Sequence, residues 1–306
     1  MASVVCKLDS SSVGSIQESP NSSYVVPQTD ATVLVSALSN GNEEQVLSAL
    51  SADSLTNVIM AGLIRDNGLQ SPLNRGRFYA CHSKENVLEG VAIIGHTILF
   101  DAFTDRAIQA FAAIARFESA IHLLMGEHIN VRRFWSHYSS EQQSPRHVCP
   151  VLFLRRREPF ESLHRVQGLR LARRDDLELV VTAQAAMALE TSGVDPLKKD
   201  PVGFRERYLR RIEKKRVWVL IRNGRLVFKT DIIADTPQAT YIEGVYVSPE
   251  QRGKGLGRSC LMTLGKTLFN NTKAIYLFVD EENARTKSFY SDLGFRVAGQ
   301  YDLLYF

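Results

Sequence analysis

Val245-Tyr-Val-Ser-Pro-Glu-Gln-Arg-Gly-Lys-Gly-Leu-Gly257 is the stretch on which the fold turns. Val245 and Val247 flank Tyr246 in the alternation of a strand. That strand runs into a glycine-rich turn, and the turn opens a helical segment, Leu256 to Phe269, with Leu261, Leu264 and Leu268 along one side. Glycines let the backbone approach a ligand closely, and the free N–H groups at a helix start form a cradle for an anion. Arg252, Lys254 and Arg258 add positive charge. A phosphate or pyrophosphate is the ligand this chemistry asks for; the competing reading is an ordinary glycine-rich turn. A Walker loop, GxxxxGK followed by Ser or Thr, is absent. The dinucleotide pattern GxGxxG fails at its third glycine, where Cys260 stands. Asp280 does end the following strand, so that rival is not excluded by position, but the flanking βαβ repeat is missing.

Working outward, Asn223-Gly224 joins two strand-like runs, Val217 to Arg222 and Arg225 to Asp231, as a hairpin. Leu169 to Leu171 reads as a short strand. Residues from Arg174 to about Glu190 and from Pro201 to Lys214 read as helices, Ala274 to Asp280 as a buried strand, Asn283 to Leu293 as a helix, and Phe295 to Phe306 as two closing strands. This order predicts an α/β fold, a mixed sheet flanked by helices. The first half shows a comparable mixture. Helices are expected over Glu43 to Leu50, Asn57 to Arg65, Asp105 to Phe117 and Glu127 to Tyr138. Strands are expected over Arg77 to His82, Val87 to Ile94, Thr97 to Ala102, Ala120 to Met125 and Val151 to Arg155. Residues 1–30, rich in Ser, Asn, Pro and Gln, read as disordered or loosely attached. Ser139 to Pro150, polar and with two prolines, reads as a linker.

The glycine loop resembles the signature of the GNAT superfamily of N-acetyltransferases: an Arg or Gln, two residues, Gly, one residue, then Gly or Ala, matched by Arg252-Gly-Lys-Gly255-Leu-Gly257. Val247-Ser-Pro249 matches the element that precedes it. A second family element is matched by Asn283-Ala284, Phe289-Tyr290 and Leu293-Gly294-Phe295. The resemblance covers about Leu169 to Phe306. It implies the GNAT acyl-CoA N-acyltransferase fold over residues 168–306 and acetyl-CoA as acyl donor. It further implies a pyrophosphate held by the backbone of Arg252, Gly253, Lys254, Gly255, Leu256, Gly257 and Arg258, with Asn283 also beside the coenzyme. The strand entering the loop would splay from the Ala274 to Asp280 strand, and the pantetheine arm would bond there to the backbone of Val245 and Val247. Residues 31–150 resemble an uncharacterised N-terminal domain that precedes the GNAT domain in one bacterial group, and their element order suggests a degenerate second GNAT unit, as in tandem enzymes such as mycothiol synthase. The loop signature is missing there; Gly95-His96 and Gly126-Glu127 do not substitute.

Transfer of an acyl group to an amine needs a deprotonated amine, a polarised thioester carbonyl and a proton for the leaving thiolate. The resemblance implies direct attack in a ternary complex, which suits a sequence with no legible Ser-His-Asp or Cys-His arrangement. Tyr290 stands at the family's general-acid position, with a core tyrosine as the alternative. Glu243, on the strand entering the loop, is the candidate base, with a solvated strand acid as the alternative. Two-residue alternation groups Glu243 with Val245 and Val247. Glu190 and Asp195 are further candidates for acceptor binding. A backbone N–H near Val247 is the expected polarising donor. Cys260 reads as core.

The chain has 306 residues and a net charge of +4, which on a prior of about 150 residues per domain makes two domains. No apolar run suits a membrane span, and the start lacks a signal-peptide pattern, so a cytoplasmic protein is expected. The four cysteines are scattered and the seven histidines sit singly, so neither a disulfide framework nor a metal site is expected. Two basic clusters stand out, Arg155 to Arg157 and Arg205 to Arg216; the second reads as the solvated face of a helix, with an acidic or nucleic-acid partner as the alternative, and no base-reading motif accompanies it. The expected partner is a small-molecule or peptide amine, with a homodimer left open. The alternative to an enzyme is a catalytically silent coenzyme-A-binding sensor or scaffold.

Overall fold

The computed structural model describes residues 33–306, apart from 51–52, 119–120, 140–143 and 162–164. The expectation for residues 1–30 lies outside the described residues. The chain divides into two compact units: residues 33–151 with 299–306, and Leu152–Ala298.

The first unit runs β1 (Val33–Ala37), α1 (Glu43–Ala49), α2 (Leu55–Asn67), β2 (Gly76–Ser83), β3 (Leu88–Gly95), β4 (Thr97–Ala102), α3 (Asp105–Ala115), β5 (Leu123–Glu127) and α4 (His128–Tyr138). The next strand, β6 (His147–Arg156), begins in this unit and continues into the second. Strands β1 to β4 pair antiparallel in chain order, and β4 pairs parallel with β5 at only two positions, Thr97 with Leu123 and Ile98 with Leu124. Helix α3 lays Ala107, Ile108, Phe111, Ala112 and Ala115 against the sheet, the spacing of one helix face.

The second unit runs β7 (Arg170–Leu171), α5 (Leu177–Ser192), α6 (Pro196–Lys199), α7 (Pro201–Glu213), β8 (Val217–Arg222), β9 (Arg225–Asp235), β10 (Thr240–Val247), α8 (Leu256–Leu268), β11 (Ile275–Asp280) and α9 (Ala284–Asp292). Its strands lie in the order β7-β8-β9-β10-β11-β6. Asn223 and Gly224 both have positive φ, 50° and 70°, as the predicted two-residue hairpin turn requires. Asp200 caps α7 through the Gly203 amide, with Pro201 at the first helical position. Gly193, left-handed, ends α5. The buried Asp176 takes two bonds from Arg170, at 2.6 and 3.0 Å, and so ties β7 to the start of α5.

The two units thus repeat one order: an edge strand, two principal helices, three antiparallel strands, a crossover helix to a parallel strand, and a further helix. The final strand, β12 (Arg296–Tyr305), is one strand and not two; no turn interrupts it. From Tyr301 to Tyr305 it pairs antiparallel with β5. Residues 299–306 therefore belong to the first unit, and the second starts at Leu152, which differs from the expected ranges 31–150 and 168–306 at both junctions. The expected linker is shorter as well, because β6 starts at His147 and runs through Pro150.

Candidate active site

The second unit holds the glycine loop. Residues 248–255 separate β10 from α8. Gly253 and Gly255 both have φ of +76°, and a Cβ on either would meet nothing within 4 Å, so both face open space in a backbone state that favours glycine. Among the described residues no protein acceptor takes the backbone amides from Gly253 to Arg258, and the first helical bond runs from the Ser259 amide to the Gly255 carbonyl. The loop presents unpaired donors at the positive end of α8, with the Lys254 and Arg258 side chains beside them. Arg252 instead turns back, its Nε donating to the Val247 carbonyl at 3.1 Å. Gly257 packs under the strand, where a Cβ would come within 3.0 Å of Val247 Cγ2. The hydroxyl of Ser248 is buried at the strand end with no partner among the described residues.

Strands β10 and β11 are paired only at Thr240 with Ile275 and Tyr241 with Tyr276, and beyond that point they part. A β-bulge accompanies the parting. Glu243 pairs with Asp231 and Tyr246 with Lys229, so β10 spends one residue more than β9 between these pairs, and Gly244 absorbs it at φ +61°. The bulge sets where the backbone points. The Thr240 amide donates towards β11, to the Ala274 carbonyl, while the Ser248 amide donates towards β9, to the Val227 carbonyl. Backbone groups alternate sides along a strand. Val247 and Val245 therefore turn their N–H and C=O away from β9, towards the gap, and without the extra residue they would face β9.

The same bulge corrects one expectation. Glu243 does not share a face with Val245 and Val247. It lies with Asp231, Lys229 and Tyr246 on the face covered by α5 and α7, whereas Val245 and Val247 lie in the core under α8 and α9. Two-residue alternation holds only in an unbroken strand.

Glu243 accepts a short hydrogen bond from the Tyr241 hydroxyl. Burial raises its carboxyl to about 7, with the Tyr241 bond opposing. A carboxylate poised there exchanges protons at neutral pH. Beside it lies a charged cluster. Lys229, 0% exposed, donates to Gln184 Oε1 at 2.6 Å, Asp231 Oδ2 at 3.0 Å and the Gly244 carbonyl at 3.2 Å. Tyr208 donates to the same Asp231 oxygen at 3.1 Å, and Arg211 Nη1 stands 3.5 Å from it. Burial pulls the Lys229 ammonium down, and Asp231 opposes that shift. Sequence reading missed this cluster. The signal was a lysine and an aspartate in the apolar run of β9, and Arg211 next to the buried stripe of Phe204, Tyr208 and Ile212. The other arginines of α7 are paired with carboxylates: Arg205 with Glu178, Arg207 with Asp200 and Arg210 with Glu206.

Tyr290, 2% exposed, sits on α9 against Phe289 and Phe295, in the same core as Val245 and Val247. Its hydroxyl makes no hydrogen bond to a described residue, and burial pushes its pKa up, keeping it protonated at neutral pH. Asn283 caps α9 through its side-chain oxygen, which accepts from the Thr286 amide at 3.0 Å, leaving its amide nitrogen for a ligand. Of the further candidates, Glu190 is exposed, and Asp195 caps α6, its Oδ1 accepting from the Leu197 amide. Cys260 is fully buried, and burial pushes its thiol up to about 12, so it is core.

In the first unit, Phe103 and Thr104 alone separate β4 from α3. The Thr104 side chain accepts from the Ala107 amide, and Glu89 binds both Thr104 and Arg106. That helix start is capped by the Thr104 side chain and faces an acid, so the cradle before α8 has no counterpart at this turn. No described group of His, Cys, Asp and Glu is arranged to hold a metal ion, and no described helix is long and apolar enough to cross a membrane.

A family model described as the acetyltransferase (GNAT) family matches residues 187–295. The C-terminal region is a GNAT acetyltransferase domain. Among solved structures, the chain is similar to a GNAT-family acetyltransferase from Colwellia psychrerythraea, with 13% identity, TM-score 0.55, and 89% of this chain and 99% of that one covered. It is similar to a tandem GNAT protein from the clavulanic acid biosynthesis pathway, with 14% identity, TM-score 0.53, and 89% and 98% covered. It is also similar to a GCN5-related N-acetyltransferase from Sphaerobacter thermophilus, with 13% identity, TM-score 0.56, and 89% and 94% covered. At such identities the likeness is one of fold. No curated protein matches the chain.

Proposed function

We propose that the second unit is an acetyl-CoA-dependent N-acetyltransferase that passes the acetyl group to a primary amine by direct attack in a ternary complex. The observation that carries this reading is the bulge at Gly244, which turns the backbone of Val245 and Val247 towards the gap between β10 and β11, at the mouth of the unpaired loop amides. In this reading the amides of Gly253 to Arg258 hold the pyrophosphate, the backbone of Val245 and Val247 binds the pantetheine arm, and the free amide of Asn283 lies beside it. Acetyl-CoA supplies the thioester carbon and a thiolate leaving group. Glu243 takes the proton that the amine loses as its nitrogen bonds to that carbon. A backbone N–H near Val247 steadies the developing oxyanion. Tyr290 gives its hydroxyl proton to the departing sulfur as the C–S bond breaks. The two side chains lie on opposite faces of the sheet, so this reading requires the ligand to reach both through the parting of β10 and β11.

The test is release of free thiol from acetyl-CoA with a panel of primary amines, including a peptide N-terminus, a lysine side chain, a polyamine and an aminosugar. Amine-dependent release with an acetylated product supports the reading. Tight acetyl-CoA binding with no release for any amine would make the protein a coenzyme sensor or scaffold. A thermal shift with NAD(P) and none with acetyl-CoA would return the loop to the dinucleotide reading.

A further inference from the structure

The bulge in β10 is fastened from below. The Glu243 carbonyl accepts from the Thr230 hydroxyl at 2.9 Å, and the Gly244 carbonyl accepts from Lys229 Nζ at 3.2 Å. Both donors are side chains of neighbouring residues on β9. Lys229 is fully buried, and its three protons match three acceptors: Gln184, Asp231 and Gly244. Burying an ammonium is costly unless every proton is satisfied, and a well-packed apolar side chain would serve a core as well or better. A lysine here therefore does something an apolar residue cannot, and the feature it holds is a peptide carbonyl in a left-handed, bulged backbone. The fit is close, because a Cβ at Gly244 would stand 2.9 Å from Lys229 Nζ, 3.0 Å from Asp231 Oδ2 and 3.3 Å from Gln184 Oε1. Position 244 thus admits glycine on conformation and on space.

We infer that Lys229 is a positioning residue: by holding the Gly244 carbonyl it fixes the one-residue shift of β10 and so keeps the backbone of Val245 and Val247 turned into the coenzyme gap. This rests on the proposed acetyl-CoA site. Lys229 lies on the α5 and α7 face, away from Val245 and Val247, and acts through the backbone alone. Asp231 neutralises the ammonium and makes no hydrogen bond to Gly244.

The test separates the lysine bond from the charge it carries. Asp231→Asn removes the charge partner and leaves Lys229 able to donate to Gly244. Lys229→Met with Asp231→Asn removes the bond without stranding a buried carboxylate. Acetyl-CoA affinity is read by calorimetry, with circular dichroism as the check of folding. Asp231→Asn should bind within about twofold of the parent. The double variant should bind about tenfold or more weakly, the scale of one charge-assisted hydrogen bond. Lys229→Gln with Asp231→Asn, whose amide can still donate, should recover part of the loss. Equal affinity in the Met and Asn double variant and in Asp231→Asn overturns the inference. If the double variant does not fold, Gly244→Ala takes its place, and wild-type affinity in that variant overturns it equally. Failure of the underlying site reading is distinct, since the parent protein would then show no acetyl-CoA binding at all.

Discussion

Replacing Glu243 by Gln tests the chemical step most sharply. The carboxyl is raised by burial to about 7, so its basic form prevails only above that pH. At one unit below the midpoint about 9% of the molecules carry the carboxylate, and at one unit above about 91% do. If Glu243 takes the amine proton, kcat/KM falls about tenfold per pH unit on the acidic side of 7. The acceptor's own ammonium ionisation would imitate this limb. The assay therefore uses an arylamine whose conjugate acid ionises below pH 5, with thiol release followed from pH 5 to 9. Glu243→Gln should lower kcat/KM by about 100-fold at pH 8, the lower range for a lost general base, and should flatten the acidic limb. Acetyl-CoA affinity should stay near that of the parent, because Glu243 lies on the face away from the Val245 and Val247 core. A limb near pH 7 that survives the substitution would refute the assignment.

Three further outcomes follow from the same geometry. Tyr290→Phe should lower kcat by about 10- to 100-fold while leaving the calorimetric acetyl-CoA affinity almost unchanged; full turnover would remove the acid role. Gly255→Val places a branched side chain at φ +76° in the middle of the cradle and should abolish coenzyme binding without unfolding the unit, so retained binding would contradict the loop assignment. Cys260, its thiol raised to about 12 by burial, should resist iodoacetamide at pH 8 in the folded protein, and Cys260→Ala should keep turnover; rapid alkylation with loss of activity would make it part of the chemistry.

The hairpin at Asn223-Gly224, the helix after the glycine loop and the capped start of α9 were legible because each rests on local chemistry: positive φ, free amides and a side-chain cap. The bulge was not. Gly244 inside a strand was its cue, since an interior glycine often marks one, but alternation alone put Glu243 on the wrong face. The buried cluster escaped for a related reason. Read as a run of charge, Arg205 to Arg216 looks solvated; Arg205, Arg207 and Arg210 pair with surface carboxylates, while Arg211 turns inward to Asp231. Pro145 and Pro150 argued for a linker, yet β6 runs through Pro150, because a strand position that needs no N–H donor accepts proline. The pairing of β12 with β5 is a long-range contact, and no local signal records it.

The start of α8 carries an anion cradle, and the corresponding turn before α3 carries a side-chain cap instead. Calorimetric titration of the full chain with acetyl-CoA measures this directly. The predicted result is one coenzyme bound per chain, lost in Gly255→Val. Two per chain, one per chain surviving in Gly255→Val, or none in the parent protein would contradict it.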